Sequence, residues 1–92
     1  MGVSGLTKTA ALEYAPAGLR INAICPGVIH TPMIERTING NPQIEAQLLA
    51  LEPIGRMGKP EEVAETVVWL CSDRASFVTG HALDVDGGYL AR

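Results

Sequence analysis

Apolar residues recur at helical spacing near the start of the chain, where Val3, Leu6, Ala10 and the Ala11-Leu12 pair share one face. The spacing predicts a helix from about Gly2 to Tyr14, closed by Pro16 and Gly18. Arg20 to Cys25 is an Ile-containing run without polar alternation, which suits a short strand covered on both faces, central in its sheet rather than at an edge. From His30 to Pro53 the pattern loosens into Pro, Asn and Gly punctuation. Two apolar stretches within it, Met33 to Ile38 and Ile44 to Leu51, read as small helices. Pro60-Glu61-Glu62 is a helix start, with proline suited to the first turn and two carboxylates opposing the positive end of the dipole. The helix it opens, to Cys71, gathers Val63, Val67, Leu70 and Cys71 on one face, widened by Ala64, Val68 and Trp69. Glu61, Glu62, Glu65 and Thr66 mark its wet side. Ser72 and Asp73 cap a short turn through Phe77, and Thr79-Gly80 resets the chain into a strand from His81 to Val85 that Asp86-Gly87-Gly88 ends.

The resulting order of helix, strand, helical excursion, helix and strand has the period of a βαβ crossover, so the fold class is α/β with parallel neighbours. The excursion is longer than most connections in compact domains, and long ordered connections tend to act as lids.

Composition narrows the range of partners. A chain of 92 residues with a formal net charge of −3 and no block of like charges offers no basic stripe for nucleic acid and no patch for an anionic membrane. No apolar run reaches the length of a membrane span, and the amino terminus lacks the basic-then-apolar order of a signal peptide. Cys25 and Cys71 form no Cys-x-x-Cys pair, which argues against a zinc site or disulfide framework and for two buried thiols in a reducing, cytoplasmic setting.

The candidate chemistry sits where the first strand ends. In open parallel sheets ligands bind beyond the carboxyl ends of the strands. A Pro-Gly pair there stops the strand and removes a side chain that would block close approach. Thr31 adds a hydroxyl that both donates and accepts. His30 and His81 read as structural or surface histidines. Asp84-Val85-Asp86-Gly87 lacks the further oxygen ligands and distal glutamate of a calcium loop and reads as a strand end, so no metal is expected.

Five segments, in order, carry a resemblance to a known family: Gly5-Leu6-Thr7-Lys8 with Ala10-Ala11-Leu12-Glu13; Arg20 to Thr31; Arg56-Met57-Gly58-Lys59-Pro60-Glu61-Glu62-Val63-Ala64; Leu70-Cys71-Ser72-Asp73; and Val78-Thr79-Gly80 with Asp84-Val85-Asp86-Gly87-Gly88. Together they resemble the carboxyl-terminal part of the short-chain dehydrogenase/reductase family. The resemblance implies that residues 1–92 are the C-terminal portion of a single Rossmann-like, doubly wound NAD(P)-binding domain, with a substrate lid over about 30–53. It implies that Pro26, Gly27, the backbone of Val28 and Ile29, and the hydroxyl of Thr31 hold the nicotinamide carboxamide and adjoining phosphate of NAD or NADP. A carboxamide has a donor end and an acceptor end, so the N–H and C=O of Ile29 can fix it in one orientation. In the lid, Met33, Ile34, Ile38, Ile44, Leu48 and Leu49 would keep water from hydride transfer to or from a small alcohol or carbonyl substrate. For any one of them, packing of the lid is the plainer reading.

The same resemblance locates what the 92 residues do not contain. The family uses a tyrosine four residues before a lysine, a serine and an asparagine for chemistry, and a glycine-rich turn for the adenosine half of the cofactor. Tyr14 is followed four places on by Gly18, and Met1 aligns just after the position of the family's lysine. The expectation is a fragment of an NAD(P)-dependent oxidoreductase with no catalytic residues of its own and no turnover by itself. Homo-association through the last helix and strand would cover apolar surface and unpaired ladder groups. The alternative is a non-catalytic oligomerisation or binding module derived from the same family.

Overall fold

The computed structural model describes residues 2–91. The order is α1 (Gly2–Tyr14), a 3₁₀ turn (Ala15–Ala17), β1 (Ala23–Pro26), α2 (Pro32–Ile38), α3 (Pro42–Ala50), α4 (Pro60–Leu70), a second 3₁₀ turn (Asp73–Ala75), β2 (Ala82–Val85) and a third (Tyr89–Ala91). The architecture is α/β. β1 and β2 pair in a two-stranded sheet. Its ladder is parallel, since Ala23 N–H donates to His81 C=O and Gly27 N–H to Val85 C=O, with both partners advancing together. The described residues divide into two compact units, one comprising the chain up to Cys25 with Glu65–Leu83, the other Pro26–Ala64 with the chain from Asp84 onward.

In the first unit, α1 buries Thr7 and Ala11, and the αL residue Gly18 closes the turn after it at φ 80°. Gly80, at φ 75°, takes a left-handed conformation that favours a residue without a side chain. Arg20 gathers three main-chain carbonyls, those of Leu70 at 2.8 Å, Val78 at 3.1 Å and Ser72 at 3.1 Å. That of Leu70 is an acceptor at the end of α4, where helix carbonyls lack intrahelical donors. Asn22 bridges the opposite segment from both ends of its amide, donating to Val78 C=O and accepting from His81 N–H.

These side-chain bonds correct the expected strand. Arg20 to Cys25 was to be extended ladder, yet regular pairing begins only at Ala23, because Arg20 and Asn22 take carbonyls and an amide of the partner segment with their side chains. β1 is also half-buried rather than covered on both faces, and it has β2 as its one neighbour among the described residues. The thiols depart from expectation for the same reason of missing cover: Cys25 is half-buried and Cys71 exposed. Val67, Val68 and Trp69 on the apolar side of α4 stay open as well, with Val68 68% exposed.

In the second unit the two short helices expected between His30 and Pro53 both form, starting one and two residues ahead of the stretches predicted, each opened by a cap and a proline. Thr31 Oγ1 accepts from Ile34 N–H at the start of α2, and Asn41 Oδ1 accepts from Gln43 and Ile44 N–H at the start of α3. These are the caps expected of Thr and Asn ahead of a first-turn proline. α2 ends on Asn39, whose φ of 48° places it in the left-handed region. Asp86 organises the chain after β2, its carboxylate accepting from the N–H of Gly88 and Leu90.

Candidate functional site

The turn after β1 is built by hydrogen bonds that alternate in direction. Gly27 N–H makes the last bond to β2, to Val85 C=O at 3.0 Å. The next residue, Val28, is held at both of its main-chain groups: its N–H donates to Glu52 Oε1 at 2.6 Å, and its C=O accepts from Gly58 N–H at 2.8 Å. His30 N–H then donates to Gly58 C=O at 2.9 Å, which makes Ile29 and Gly58 an isolated parallel bridge. Along extended chain, successive residues turn their N–H and C=O to opposite sides. With Val28 C=O and His30 N–H spent on Gly58, Ile29 turns its own N–H and C=O the other way. Neither has a partner among the described residues.

Pro26, Gly27, Ile29, Thr31, Met33 and Ile34 line one hollow of about 400 Å³, joined by Pro60 and Val63 from the start of α4. The structure thus brings together most of the residues singled out from the sequence. Val28 faces elsewhere, into a small cavity of about 80 Å³ with Glu52, Arg56 and Glu62. Ile38 is buried and Leu48 half-buried. Neither borders the hollow.

Two features were not legible in the sequence. The close approach that Gly27 permits is made by the chain itself, since a Cβ there would stand 2.7 Å from Glu52 Oε1 and 2.8 Å from Asp86 Cα. Glu52, only 5% exposed, ends an apolar run as an unremarked carboxylate. Its partner Val28 lies 24 residues away. The basic-acidic spacing of Arg56 and Glu62 was the available signal for the ion pair that braces the start of α4. His30 pairs with Glu35 on the exposed side of α2. Among the described residues no group of His, Cys, Asp and Glu could hold a metal ion, and no helix is long and apolar enough to cross a membrane.

A nicotinamide nucleotide fits this arrangement on three counts. One residue offers a free donor and acceptor side by side, a hydroxyl stands two residues on, and the wall of Met33, Ile34 and Val63 is apolar.

Known proteins match the chain over nearly its whole length. A family model described as enoyl-(acyl carrier protein) reductase matches residues 1–90. The cyclohexanol dehydrogenase of Acinetobacter sp. (strain SE19) is 54% identical over 91 residues, covering 99% of this chain and 34% of its own length. Among solved structures, 4-hydroxyisoleucine dehydrogenase complexed with NADH superposes with a TM-score of 0.91 at 32% identity, over 99% of this chain and 37% of its own. ElxO with NADP bound gives 0.88 at 38% identity, over 98% and 36%. The chain therefore spans about a third of the length of the relatives it matches. The Pro-Gly turn, α2, α3 and the last helix and strand all lie within the matched segment, and the chain belongs to the short-chain dehydrogenase/reductase family, as its carboxyl-terminal portion.

Proposed function

We propose that this chain is the carboxyl-terminal part of a single Rossmann-like NAD(P)-dependent oxidoreductase domain, contributing the nicotinamide clamp and, over about residues 30–53, the substrate lid. The observation that carries this reading is Ile29, in the turn after β1, whose N–H and C=O have no partner among the described residues. The bound nucleotide supplies the carbon that takes or gives hydride. Ile29 holds the carboxamide at both ends and so decides which ring face meets the substrate. Thr31 Oγ1 already accepts from Ile34 N–H, and its proton remains free to donate to a phosphate oxygen. Met33 and Ile34 keep water from the reacting centre, while Ile38 and Leu48 hold the lid together. The substrate class is a small alcohol or the matching carbonyl compound, with cyclohexanol the first to test.

No side chain of the 92 residues stands in the Tyr-x-x-x-Lys spacing that the family uses to move the proton. A positioned acid or base contributes ~10²–10⁴-fold in rate, so the 92 residues alone are inactive in this reading. The decisive experiment replaces the matching third of the Acinetobacter cyclohexanol dehydrogenase with this segment and follows NAD(P)-dependent cyclohexanol oxidation. Activity in the chimera and none in the 92-residue chain is the expected result. An inactive but folded chimera, or turnover by the short chain, overturns it. The exposed Val68 and Trp69 on α4 favour self-association through α4 and β2, in the enzyme or in a derived module. Co-purification of the short chain with a full-length relative, without effect on its activity, would favour the module.

A further inference from the structure

We propose that Glu52 is a positioning residue for the cofactor turn: its buried carboxylate pins Val28 so that Ile29 is presented with both main-chain groups free. The inference rests on the clamp reading above and concerns a side chain that reading does not use.

Three observations support it. Glu52 lies 5% exposed within the chain, although an ionised carboxylate is strongly disfavoured away from water and an apolar side chain of like size would be tolerated there without that penalty. Its Oε2 has no partner among the described residues, so its hold on the chain is the single short bond from Val28 N–H. The molecule also makes room for it twice. A Cβ at Gly27 would stand 2.7 Å from Oε1, and one at Gly87 would stand 2.9 Å from Oε2. The carboxylate is thus set between two residues without side chains, one in the turn and one just after β2.

What Glu52 does follows from the alternation along the turn. Past Gly27 the ladder to β2 ends, and Val28 N–H needs an acceptor that no neighbouring strand provides. Glu52 supplies it from the end of the lid. With Gly58 N–H on Val28 C=O, the peptide plane on each side of Val28 is fixed. The orientation of the Ile29 N–H and C=O then follows from the chain geometry. Without Glu52 the plane before Val28 is free to rotate, and the two Gly58 bonds that orient Ile29, on Val28 C=O and His30 N–H, hold the turn alone and less firmly.

The test uses the isotopically labelled 92-residue chain by NMR, with nicotinamide mononucleotide as the probe. In the wild type a scalar coupling across the hydrogen bond is expected between Val28 ¹⁵N and Glu52 ¹³Cδ. Glu52→Gln keeps an acceptor and should leave Val28 amide exchange and probe affinity within about twofold of wild type. Glu52→Leu should speed Val28 exchange and weaken the probe at least tenfold, while the Asn22 and Gly80 amides are unchanged. Absence of the coupling, a Glu52→Leu variant that behaves as wild type, or a Glu52→Gln variant that behaves as Glu52→Leu overturns the proposal. The wild-type coupling needs no variant, so a loss of fold in Glu52→Leu cannot mask the answer. If the probe shifts no resonance in the wild type, the clamp reading falls while the coupling and Val28 exchange still decide the role of Glu52.

Discussion

Arg56 grips Glu62 at two points, Nη1 to Oε1 at 2.8 Å and Nη2 to Oε2 at 3.0 Å, while Lys59 N–H donates to the same carboxylate at 2.9 Å. The Arg56 hydrogen bonds, with that of Lys59 behind them, lower the Glu62 pKa from 4.5 to about 2, and the pair in turn raises that of Arg56. Because the folded-state value is the lower one, the unfolded chain takes up more protons in acid. The stabilisation from this pair is complete above about pH 5 and is lost as pH falls toward about 2. Carboxyl NMR titration should place Glu62 near the low end in the wild type and return it to the ordinary carboxylate range in Arg56→Gln.

Gly27→Ala should destabilise the second unit by about 1–3 kcal/mol, the usual effect of overpacking. The added methyl meets the backbone of Asp86 as well as Glu52, so movement of one flexible side chain does not relieve it. A lowered urea midpoint with unchanged slope is the signature. A midpoint equal to wild type would mean that the turn yields more easily than its contacts imply.

Much of this was legible in the sequence, and the reason is local. Pro60-Glu61-Glu62 states a helix start within a few residues, and α4 begins there; α2 and α3 begin at Pro32 and Pro42, one and two residues ahead of the apolar stretches from which they were expected. What escaped depends on contacts between distant residues. Glu52 has no signal in its own neighbourhood that points to Val28. Arg20 and Asn22 look like strand residues until the carbonyls of Leu70, Ser72 and Val78 come within reach. Periodicity says that Val67, Val68 and Trp69 want cover, and it carries no information on which chain or segment provides it.

Arg20→Met should cost about 1.5–3 kcal/mol, the range for losing hydrogen bonds from a charged donor, because three hydrogen bonds from one guanidinium are lost together, although Val78 C=O keeps Asn22 and Ser72 C=O keeps Ala75 N–H. Lysine brings one ammonium in place of the planar fork and should recover only part of it. Chemical denaturation followed by far-UV circular dichroism measures both.

Cys71 should react with a thiol reagent in the native chain several-fold faster than Cys25, because it is exposed and Cys25 half-buried. Mass spectrometry of partly labelled protein resolves the two sites. Preferential labelling of Cys25 would show that the end of α4 is covered in solution, as by self-association.

Thr31→Ala should loosen the first turn of α2 by about 1 kcal/mol, the usual value of an N-cap, with faster exchange at the Ile34 amide. Thr31→Ser should keep both the cap and the wild-type exchange rate.

The capping of α2 by Thr31 joins two events that are usually separate. One oxygen sets where α2 begins and also lies on the hollow proposed to take the nucleotide. A ligand that draws only on the hydroxyl proton leaves the cap in place and locks its rotor, whereas one that competes for the oxygen unwinds a turn of helix. If the hollow takes the nucleotide as proposed, its occupancy would register in the length of α2, and fraying of that helix would gauge what is bound beside it.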